Sequence, residues 1–382
     1  MAQDVVVIGA GVQGCAVAWR LAQAGLRVVV LEKSIPGAEA SSAAAGILSP
    51  GVEAEEPGPF HSLCVASLER YRQFAEDVER ASGVQVGFRG GGTLQVAFDD
   101  PTARVMAARA EKLEQHGIDV DVLDPDAVRK LEPDLDRHLR GGLWFRGEAS
   151  IDPRLLSRAL YVAAQKAGAQ FVTDRVLRVA QRDGRVEGVD HERGRFEAAA
   201  VVLAAGAWSN EVEGSGLPPG AVRPVRGQIA LLDTRPPLLS RVVFSDKGYV
   251  VPRADGRVLC GSTMEEVGFD RAVTAGGLRG VLALAIEICP RLAAAPVIDT
   301  WNNFRPASPD GWPVLGPART QGLHYATGHT RNGILLCPIT AEAVAAKIAG
   351  REPPVDLSPF SAARLGAGRG DVRERQPPRH PS

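Results

Sequence analysis

The N-terminus of the chain combines a short apolar segment with three closely spaced glycines. Val5 to Ile8 are apolar and mostly β-branched, as in a strand that is buried on both faces. Gly9, Gly11 and Gly14 follow in the spacing GxGxxG. At a strand-to-helix junction the first glycine allows a tight turn, the second lets a pyrophosphate approach the backbone, and the third lets the helix pack against the strand. The pattern predicts a βαβ unit that binds a dinucleotide.

The residues after the glycines have the order that such a unit requires. We expect a helix from Val12 to Ala24, ended by Gly25, and a second strand from Arg27 to Leu31. Glu32 follows that strand, 18 residues beyond Gly14. An acid at this position can accept hydrogen bonds from an adenosine ribose and would repel a ribose 2′-phosphate. The motif by itself does not distinguish FAD from NAD.

Length, composition and charge limit the class of protein. A chain of 382 residues with 45% hydrophobic and 23% charged residues is typical of a globular enzyme with two or three domains. The formal net charge of −1 gives no general attraction to nucleic acid or to an anionic membrane. The apolar segments are shorter than the roughly 20 residues of a membrane span. The first residues begin a fold, not a signal peptide, so we expect a cytoplasmic protein.

Cysteine and histidine are scattered without the spacing of a metal site. There is no CxxC pair, and the seven histidines include no HExxH motif. Buried reduced thiols and no bound metal are therefore the prediction. The five cysteines are Cys15, Cys64, Cys260, Cys289 and Cys337.

The order of predicted elements indicates an α/β fold made of two interleaved units. A doubly wound unit is predicted over residues 1–85, 146–215 and 318–360, and a mostly antiparallel β unit over 86–145 and 216–317. Small residues from Gly37 to Pro50 suit a backbone pressed against a flat ligand. Residues 362–382 have no apolar periodicity and are predicted to be a disordered tail. Helices are predicted at Pro59–Ala81, Pro101–His116, Pro153–Gly168, Gly277–Cys289 and Ala341–Ala349, and strands at Gly83–Phe98, Gln170–Val189 and Phe196–Ala205.

Four separated segments resemble the D-amino-acid oxidase family of FAD flavoproteins and, within it, the glycine oxidases of bacterial thiamine biosynthesis. They are the N-terminal glycine motif and residues 41–47, 204–209 and 328–336. Three further segments, 248–253, 261–264 and 304–311, occupy positions where that family places its substrate pocket. The resemblance covers residues 4–350. It implies a Rossmann-type FAD-binding domain with an interleaved β domain that binds substrate.

The resemblance also implies which residues contact FAD. Val12 and Gln13 would lie at the pyrophosphate, Glu32 and Lys33 at the adenosine ribose, and Ala40 and Ser41 at the phosphates. Ala45 to Ile47 would lie along the isoalloxazine, and Val176 would hold adenine through its backbone. The full predicted set is Gly9, Gly11, Val12, Gln13, Gly14, Glu32, Lys33, Ala40, Ser41, Ala45, Gly46, Ile47, Val176, Gly206, His329, Thr330, Arg331, Asn332, Gly333, Ile334 and Leu335.

Arg305 is the predicted carboxylate anchor of the substrate site. A guanidinium offers two parallel N–H donors that match a carboxylate. Tyr249 could donate its hydroxyl to the same carboxylate, and Met264 would form an apolar wall. Each residue has an alternative interpretation. Arg305 could be a surface arginine, Tyr249 a half-buried aromatic residue of a strand, and Met264 a residue that only fills the core. Arg331 could face either the flavin or the substrate.

The reaction implied by the resemblance is oxidative deamination of glycine, sarcosine or D-alanine. Hydride transfer to flavin N5 would give an imine that water hydrolyses, and dioxygen would be reduced to H2O2. The segment Asn302–Ala307 lacks the cysteine to which related sarcosine oxidases attach their flavin, so we expect noncovalent FAD. Lys247 and Ser49 differ from residues associated with characterised glycine oxidases and could alter substrate choice.

Several alternatives remain open from the sequence. The main one is a D-amino-acid or N-methyl-amino-acid dehydrogenase that passes electrons to an acceptor other than oxygen. A nicotinamide dehydrogenase and a catalytically silent flavin-binding module are two others. The resemblance further implies a homo-oligomer, a homotetramer.

Overall fold

The computed structural model describes residues 3–53, 56–116 and 118–366 of the chain. Its strands, in chain order, are β1 (Gln3–Ile8), β2 (Val28–Glu32), β3 (Ile47–Leu48), β4 (Thr93–Ala97), β5 (Asp121–Leu123), β6 (Gly141–Phe145), β7 (Ala149–Ser150), β8 (Gln170–Thr173), β9 (Val176–Arg182), β10 (Arg185–His191), β11 (Gly194–Leu203), β12 (Arg223–Asp233), β13 (Val242–Phe244), β14 (Tyr249–Pro252), β15 (Arg257–Gly261), β16 (Val297–Ala307), β17 (Val314–Pro317) and β18 (Leu323–Thr327).

The helices connect these strands and cover their faces. They are α1 (Val12–Gln23), α2 (Ala40–Ala43), α3 (Pro50–Glu53), α4 (Pro59–Ser82), α5 (Asp100–Gln115), α6 (Pro125–Leu131), α7 (Pro153–Lys166), α8 (Ala275–Ile288) and α9 (Cys337–Ile348). Short 3₁₀ helices cover Gly206–Glu211, Pro290–Ala294, Ser358–Phe360 and Ala362–Leu365. At the start of α7, Asp152 accepts hydrogen bonds from the backbone amides of Arg154 and Leu155, and Pro153 occupies the first turn, as predicted.

The first sheet has β1 near its centre. β1 pairs in parallel with β2 on one side and β11 on the other, in the order β17-β18-β11-β1-β2-β8. The antiparallel hairpin β9–β10 continues from β11. This arrangement confirms the doubly wound α/β class, and it brings the carboxyl ends of β1, β2, β11 and β18 to one edge. Ligands of open α/β sheets bind at that edge.

Alternate residues of β1 enter two different layers. Val5 and Val7 are buried in the cluster that includes α1, α4, α7 and α9. Val6 and Ile8 are buried in a second cluster with Val179 of the β9–β10 hairpin. Because side chains along a strand point to opposite faces in turn, a strand covered on both faces must be apolar throughout. Burial on both faces therefore explains why Val5 to Ile8 are all apolar.

The second sheet forms the mostly antiparallel unit. Its order is β16-β12-β15-β14-β13-β4-β6-β5, and β13 and β4 form a parallel pair within it. One face packs against α8 through residues such as Val250 and Leu284. The other face, which includes Ile229 and Val251, packs against Ala45 of the small-residue segment. The second sheet therefore covers one side of the dinucleotide-binding edge.

The prediction of antiparallel strands over Gly83 to Phe98 is wrong for its first ten residues. A continuous strand begins only at Thr93, and before it Arg89 forms a single antiparallel bridge with Ser150. The preceding backbone obtains partners elsewhere: the Val86 amide donates to Glu79 Oε1 at 2.8 Å. Gly91 and Gly92, with φ of 117° and 80°, then turn the chain. Alternation in the sequence could not show that these residues would form one bridge and not a continuous strand.

The expected disorder from Ala362 onward is wrong for the first residues of that segment. Ala362–Leu365 is a 3₁₀ helix, and Arg364 Nε lies 2.6 Å from Asp310 Oδ2. This ion pair joins residues that are distant in sequence, so local composition did not reveal it. Residues 367–382 of the predicted tail lie outside the described residues. The last helix likewise begins at Cys337, earlier than the predicted Ala341.

The boundaries of the two predicted domains remain a prediction. β17 falls in the range 216–317 assigned to the substrate unit, yet it pairs with β18 in the first sheet.

Within the described ranges, none of the helices has the length and apolar character needed to cross a membrane. The same residues include no group of three or more His, Cys, Asp or Glu that could hold a metal ion.

Candidate functional site

A long cavity of about 1110 Å³ begins at the glycine turn and runs between the two sheets. It contains most of the predicted site residues. From the predicted cofactor set these are Gly9, Gly11, Val12, Gln13, Glu32, Lys33, Ala40, Ser41, Ala45, Gly46, Ile47, Val176, Gly206, His329, Thr330, Arg331, Gly333 and Ile334, and from the predicted substrate set Arg305, Tyr249 and Met264. Gly14, Asn332 and Leu335 do not line the cavity.

The glycine turn is closely packed where β1 meets α1. Gly9 has a φ of 98°, which favours glycine. A β-carbon on Gly14 would lie 1.9 Å from the Gly9 carbonyl oxygen. Gly14 therefore allows α1 to pack against the turn, and Gly9 and Gly11 face the cavity.

The start of α1 offers polar groups to the cavity. Gly11 supplies no side-chain cap, and the Val12 amide donates instead to Ser41 Oγ at 2.9 Å. Gln13 Nε2 donates to the Gly333 carbonyl at 2.7 Å, which ties α1 to the last segment of the site. Gln13 Oε1 is buried and has no hydrogen-bond partner among the described residues. The start of a helix has backbone amides without a partner inside the helix and a positive dipole end, which suit a bound pyrophosphate.

Glu32 marks the end of the cavity expected to hold adenosine. Its Oε2 accepts from the Ala10 amide at 2.8 Å and its Oε1 accepts from the Ser34 amide at 3.1 Å, which fixes the carboxylate at the end of β2. Asp174 lines the same end. A hydrogen bond from Arg193, assisted by one from His191, lowers the pKa of Asp174 to about 2. Two fixed carboxylates thus face a region where ribose hydroxyls could donate.

Lys33 and Trp208 form a second feature of this end. Lys33 Nζ lies 3.1 Å from the centre of the Trp208 ring and 3.4 Å from Glu39. Trp208 also stacks on Phe269, with ring centres 5.0 Å apart. The sequence analysis placed Lys33 at the ribose and gave Trp208 no role. A cation held over an aromatic face is a favourable contact that fixes both side chains.

The small-residue segment presses its backbone against neighbouring elements. Gly46 has a φ of 80°, and a β-carbon there would lie 2.0 Å from the Ile151 carbonyl oxygen. The Ile151 amide donates to the Gly46 carbonyl at 2.8 Å, and Arg253 donates to the Ala45 carbonyl at 2.8 Å. The segment is therefore held from behind, and its other surface lines the cavity without large side chains. Such a surface suits a flat ring system.

The segment before α9 lines the opposite side of the cavity. His329 is buried, and its Nε2 lies 3.1 Å from Thr340 Oγ1. Burial lowers the pKa of His329 to about 3, so the imidazole is neutral. Asn332 and Leu335 are buried but do not line the cavity. The backbone amide of Asn332 donates to the His329 carbonyl, and the Leu335 carbonyl accepts from Ser67 Oγ at 2.7 Å.

Arg305 lies on β16 and points its guanidinium into the cavity between the sheets. Nη1 donates to the Thr263 carbonyl at 3.1 Å, and Nη2 donates to Ser262 Oγ. Burial lowers the pKa of Arg305 below its usual value, the nearby Arg331 cation acts in the same direction, and Tyr249 opposes both. The interpretation of Arg305 as a surface arginine is thereby excluded.

Tyr249 and Met264 both line the cavity with Arg305. Tyr249 begins β14 and packs against Phe244 at a ring distance of 5.5 Å. Met264 is 38% exposed, because its side chain faces the cavity and not the core. Core filling, the alternative interpretation of Met264, does not fit this exposure.

Arg331 forms an ion pair with Glu53 of α3 inside the cavity. Arg109 of α5 is close by, where it donates to the Gly51 carbonyl and, at 2.9 Å, to Gln95 Oε1. The sequence analysis missed Glu53 and Arg109. Glu53 ends a segment that is rich in small residues, and Arg109 is one of several charged residues of an amphipathic helix, so neither carried a local signal.

A buried carboxyl, Glu148, supports α3 from behind. Its Oε1 accepts from the Gly51 amide at 2.7 Å. Burial raises the pKa of Glu148 to about 8, and hydrogen bonds from Gly51, Ser49 and Thr93 oppose that rise. The side chain is therefore protonated at neutral pH. It lies outside the cavity and holds the turn that carries Glu53.

Ser49 and Lys247, which the sequence analysis expected to alter substrate choice, do not line the cavity. Ser49 is fully buried, and its Oγ lies 2.6 Å from Thr93 Oγ1. Lys247 pairs with Glu287 of α8 at 2.7 Å.

These observations fit FAD. The cavity joins the start of α1, the fixed carboxylate of Glu32 and a surface of small residues. Among the described residues that line it there is no cysteine. Val12, Gln13 and Ser41 would hold the pyrophosphate, Glu32 the ribose, and Ala45 to Ile47 the isoalloxazine.

Comparison with known proteins gives the same assignment. The model of the family described as "DAO: FAD dependent oxidoreductase" matches residues 4–347. The chain is 37% identical over 372 residues to the bifunctional protein ThiO/ThiG of Synechocystis sp., covering 95% of this chain and 54% of that protein. The chain thus spans about half the length of these bifunctional relatives.

Solved structures agree with the sequence relatives. Glycine oxidase from Geobacillus kaustophilus superposes with a TM-score of 0.91 and 33% identity, covering 95% of this chain and 99% of that chain. Iminodiacetate oxidase from Chelativorans sp. BNC1 gives a TM-score of 0.84 and 29% identity, covering 94% and 98%. The family match extends over most of the chain and includes both sheets. The chain therefore belongs to the DAO family of FAD-dependent oxidoreductases.

Proposed function

We propose that this protein oxidises glycine and other small amino acids, such as sarcosine and D-alanine, to the imine, which water then hydrolyses to the 2-oxo acid and ammonia or an amine. The observation that carries the proposal is the guanidinium of Arg305, which faces the same cavity as the dinucleotide-binding glycine turn. Similarity to glycine oxidase from Geobacillus kaustophilus supports it. For glycine the balanced reaction consumes O2 and water and yields glyoxylate, ammonia and H2O2.

Arg305 would anchor the substrate through its carboxylate. Ser262 and Thr263 hold the guanidinium in place, so little side-chain freedom is lost when a carboxylate binds. Two parallel N–H donors would fix the orientation of the carboxylate, and Tyr249 could add a third donor from its hydroxyl. Met264 would limit the size of the substituent on the α-carbon.

FAD, when bound, would supply an acceptor for the hydride from the α-carbon and would pass the electrons on to dioxygen. The protein's own contribution is orientation: with the carboxylate clamped, the α-carbon can be held in one position. No protein base is obligatory, because the neutral amine can supply the electron pair as the hydride leaves. Noncovalent attachment of FAD is part of the proposal, as the cavity-lining residues suggest.

Replacing Arg305 with alanine tests the substrate anchor. Removing one partner of a buried charge-assisted pair costs roughly 2 to 5 kcal/mol, or on the order of 30- to several-thousand-fold in kcat/KM for glycine. FAD content should stay near that of the wild type. Arg279→Ala, at an exposed position of α8, is the matched control. Unchanged kcat/KM in Arg305→Ala, or a wild-type preference for methylamine over glycine, would contradict the proposal.

The electron acceptor needs a separate measurement. H2O2 release with glycine under air supports an oxidase, whereas turnover with an artificial dye but not with O2 would assign the protein as a dehydrogenase. The resemblance also leads us to propose cytoplasmic location, homotetrameric assembly and a role in thiazole synthesis for thiamine. Cell fractionation, light scattering and growth without added thiazole would test these three.

A further inference from the structure

Two glycines lie directly beneath the side chains that would clamp the substrate. Gly227 is in β12, where it pairs with Asn303 of β16, and it lines the cavity. A β-carbon on Gly227 would lie 2.3 Å from Arg305 Nη1 and 2.6 Å from Arg305 Cζ. On Gly261, at the end of β15, it would lie 2.9 Å from Tyr249 Oη and 3.0 Å from Tyr249 Cζ.

A left-handed backbone does not account for these glycines. Both lie within strands and neither has a positive φ. Glycine in a strand interior weakens the strand and often marks a place where another group approaches closely. Here the groups that approach are the guanidinium of Arg305 and the ring of Tyr249. The lack of a side chain leaves the space that these groups occupy.

The hydrogen bonds of Arg305 keep it against this surface. Nη1 is held by the Thr263 carbonyl at 3.1 Å and Nη2 by Ser262 Oγ. Both acceptors follow Gly261 directly in the chain. The guanidinium is thus fixed from the β15 side and rests on Gly227 of β12.

We propose that Gly227 and Gly261 are positioning residues of the substrate site. Together they set the depth at which Arg305 and Tyr249 lie, and so the depth at which the carboxylate of a small amino acid binds. This inference rests on the proposed function, because it takes Arg305 as the carboxylate anchor. Neither glycine contacts the substrate chemically; each acts through the side chain above it.

Gly227→Ala is the direct test. Ordinary van der Waals contact begins at 3.4 Å, so the guanidinium must move by about 1 Å, a displacement that can cost on the order of 100-fold in rate. We expect a loss of that order in kcat/KM for glycine and a Kd for acetate that rises on the order of tenfold or more. Acetate binding is measured on the FAD-loaded protein from the change in flavin absorbance, without turnover.

A double-mutant cycle separates positioning from general damage to the sheet. In the Arg305→Ala background no guanidinium remains to be displaced, so adding Gly227→Ala should change kcat/KM by less than about twofold. Damage to the sheet would instead reduce activity by the same factor in both backgrounds. Gly280→Ala on α8, where a β-carbon meets nothing within 4 Å, is the matched control and should leave both values unchanged.

The outcomes separate this inference from the proposed function. Weaker acetate binding in Gly227→Ala with a non-additive cycle supports positioning even if another amino acid proves to be the substrate; the cycle is then measured with that amino acid. Unchanged acetate Kd, or an additive cycle, overturns the inference while glycine oxidation by the wild type still stands. If Gly227→Ala fails to bind FAD, Gly261→Ala tests the same point through Tyr249, and an unchanged acetate Kd there overturns it.

Discussion

Replacing Glu148 with glutamine should make the stability of the protein less sensitive to pH. The carboxyl is 5% exposed and accepts a hydrogen bond from the Gly51 amide at 2.7 Å. Burial raises its pKa from 4.5 to about 8. The folded chain therefore keeps Glu148 protonated at neutral pH, whereas the unfolded chain ionises it. Glutamine has nearly the same shape and cannot ionise in either state.

The direction and size of the effect follow from the raised pKa of Glu148. Below pH 4.5 both states are protonated, so the group imposes no penalty. As the pH rises from 4.5 to about 8 the unfolded state loses its proton first, and the folded state loses relative stability. One pKa unit corresponds to about 1.36 kcal/mol, so the change between roughly pH 5 and pH 7.5 is about 3 kcal/mol.

Urea unfolding of wild type and Glu148→Gln at these two pH values, with equal FAD, measures the difference. The variant should gain about 3 kcal/mol relative to wild type between the lower and the higher pH. Glu111→Gln, at an exposed position of α5, serves as the control for loss of one surface charge. An equal stability difference between Glu148→Gln and wild type at both pH values would refute the assignment of a buried neutral carboxyl.

Two further predictions concern the cofactor. Acid precipitation should release all of the FAD into the supernatant, because the described residues lining the cavity include no cysteine to attach it; flavin fluorescence on the washed pellet would contradict this. Gly14→Ala should lose most of its FAD and at least roughly 1 to 3 kcal/mol of stability, because the added β-carbon would lie 1.9 Å from the Gly9 carbonyl oxygen. Absorbance at 450 nm per protein and the thermal midpoint, each compared with Gly280→Ala, would measure this, and normal FAD content would show that the turn can relax.

The parts of the fold that the sequence predicted depend on local signals. The turn from β1 into α1 requires glycines at fixed offsets, and the cap of α7 requires Asp152 followed by proline. Such features are determined by residues that are adjacent in sequence, so they can be predicted without knowing which distant element packs against them. The strand expected over Gly83 to Phe98 failed for the opposite reason. A strand needs a partner along its whole length, and residues 83–92 form only one bridge, between Arg89 and Ser150.

In the candidate site, too, some residues could be predicted from the sequence and others could not. Arg305, Tyr249 and Met264 were predicted because their segments resemble a family pattern, and all three line one cavity. Glu53 was missed, because its partner Arg331 lies 278 positions away in the chain. The contact forms only when α3 and the segment before α9 meet across the cavity. The residues near Glu53 in the sequence therefore give no indication of its contact with Arg331.

Glu148 shows why a supporting residue is harder to predict than a ligand-binding one. Its hydrogen bond to Gly51 spans 97 positions, and its side chain does not reach the cavity. A β-carbon on Gly51 would lie 2.4 Å from Phe145 and 3.0 Å from Glu148, so α3 packs closely on both side chains. The turn that carries Glu53 toward Arg331 is therefore positioned by a neutral carboxyl and a phenyl ring behind it. Ion pairing in the cavity and pH-dependent stability of the fold thus depend on the same turn.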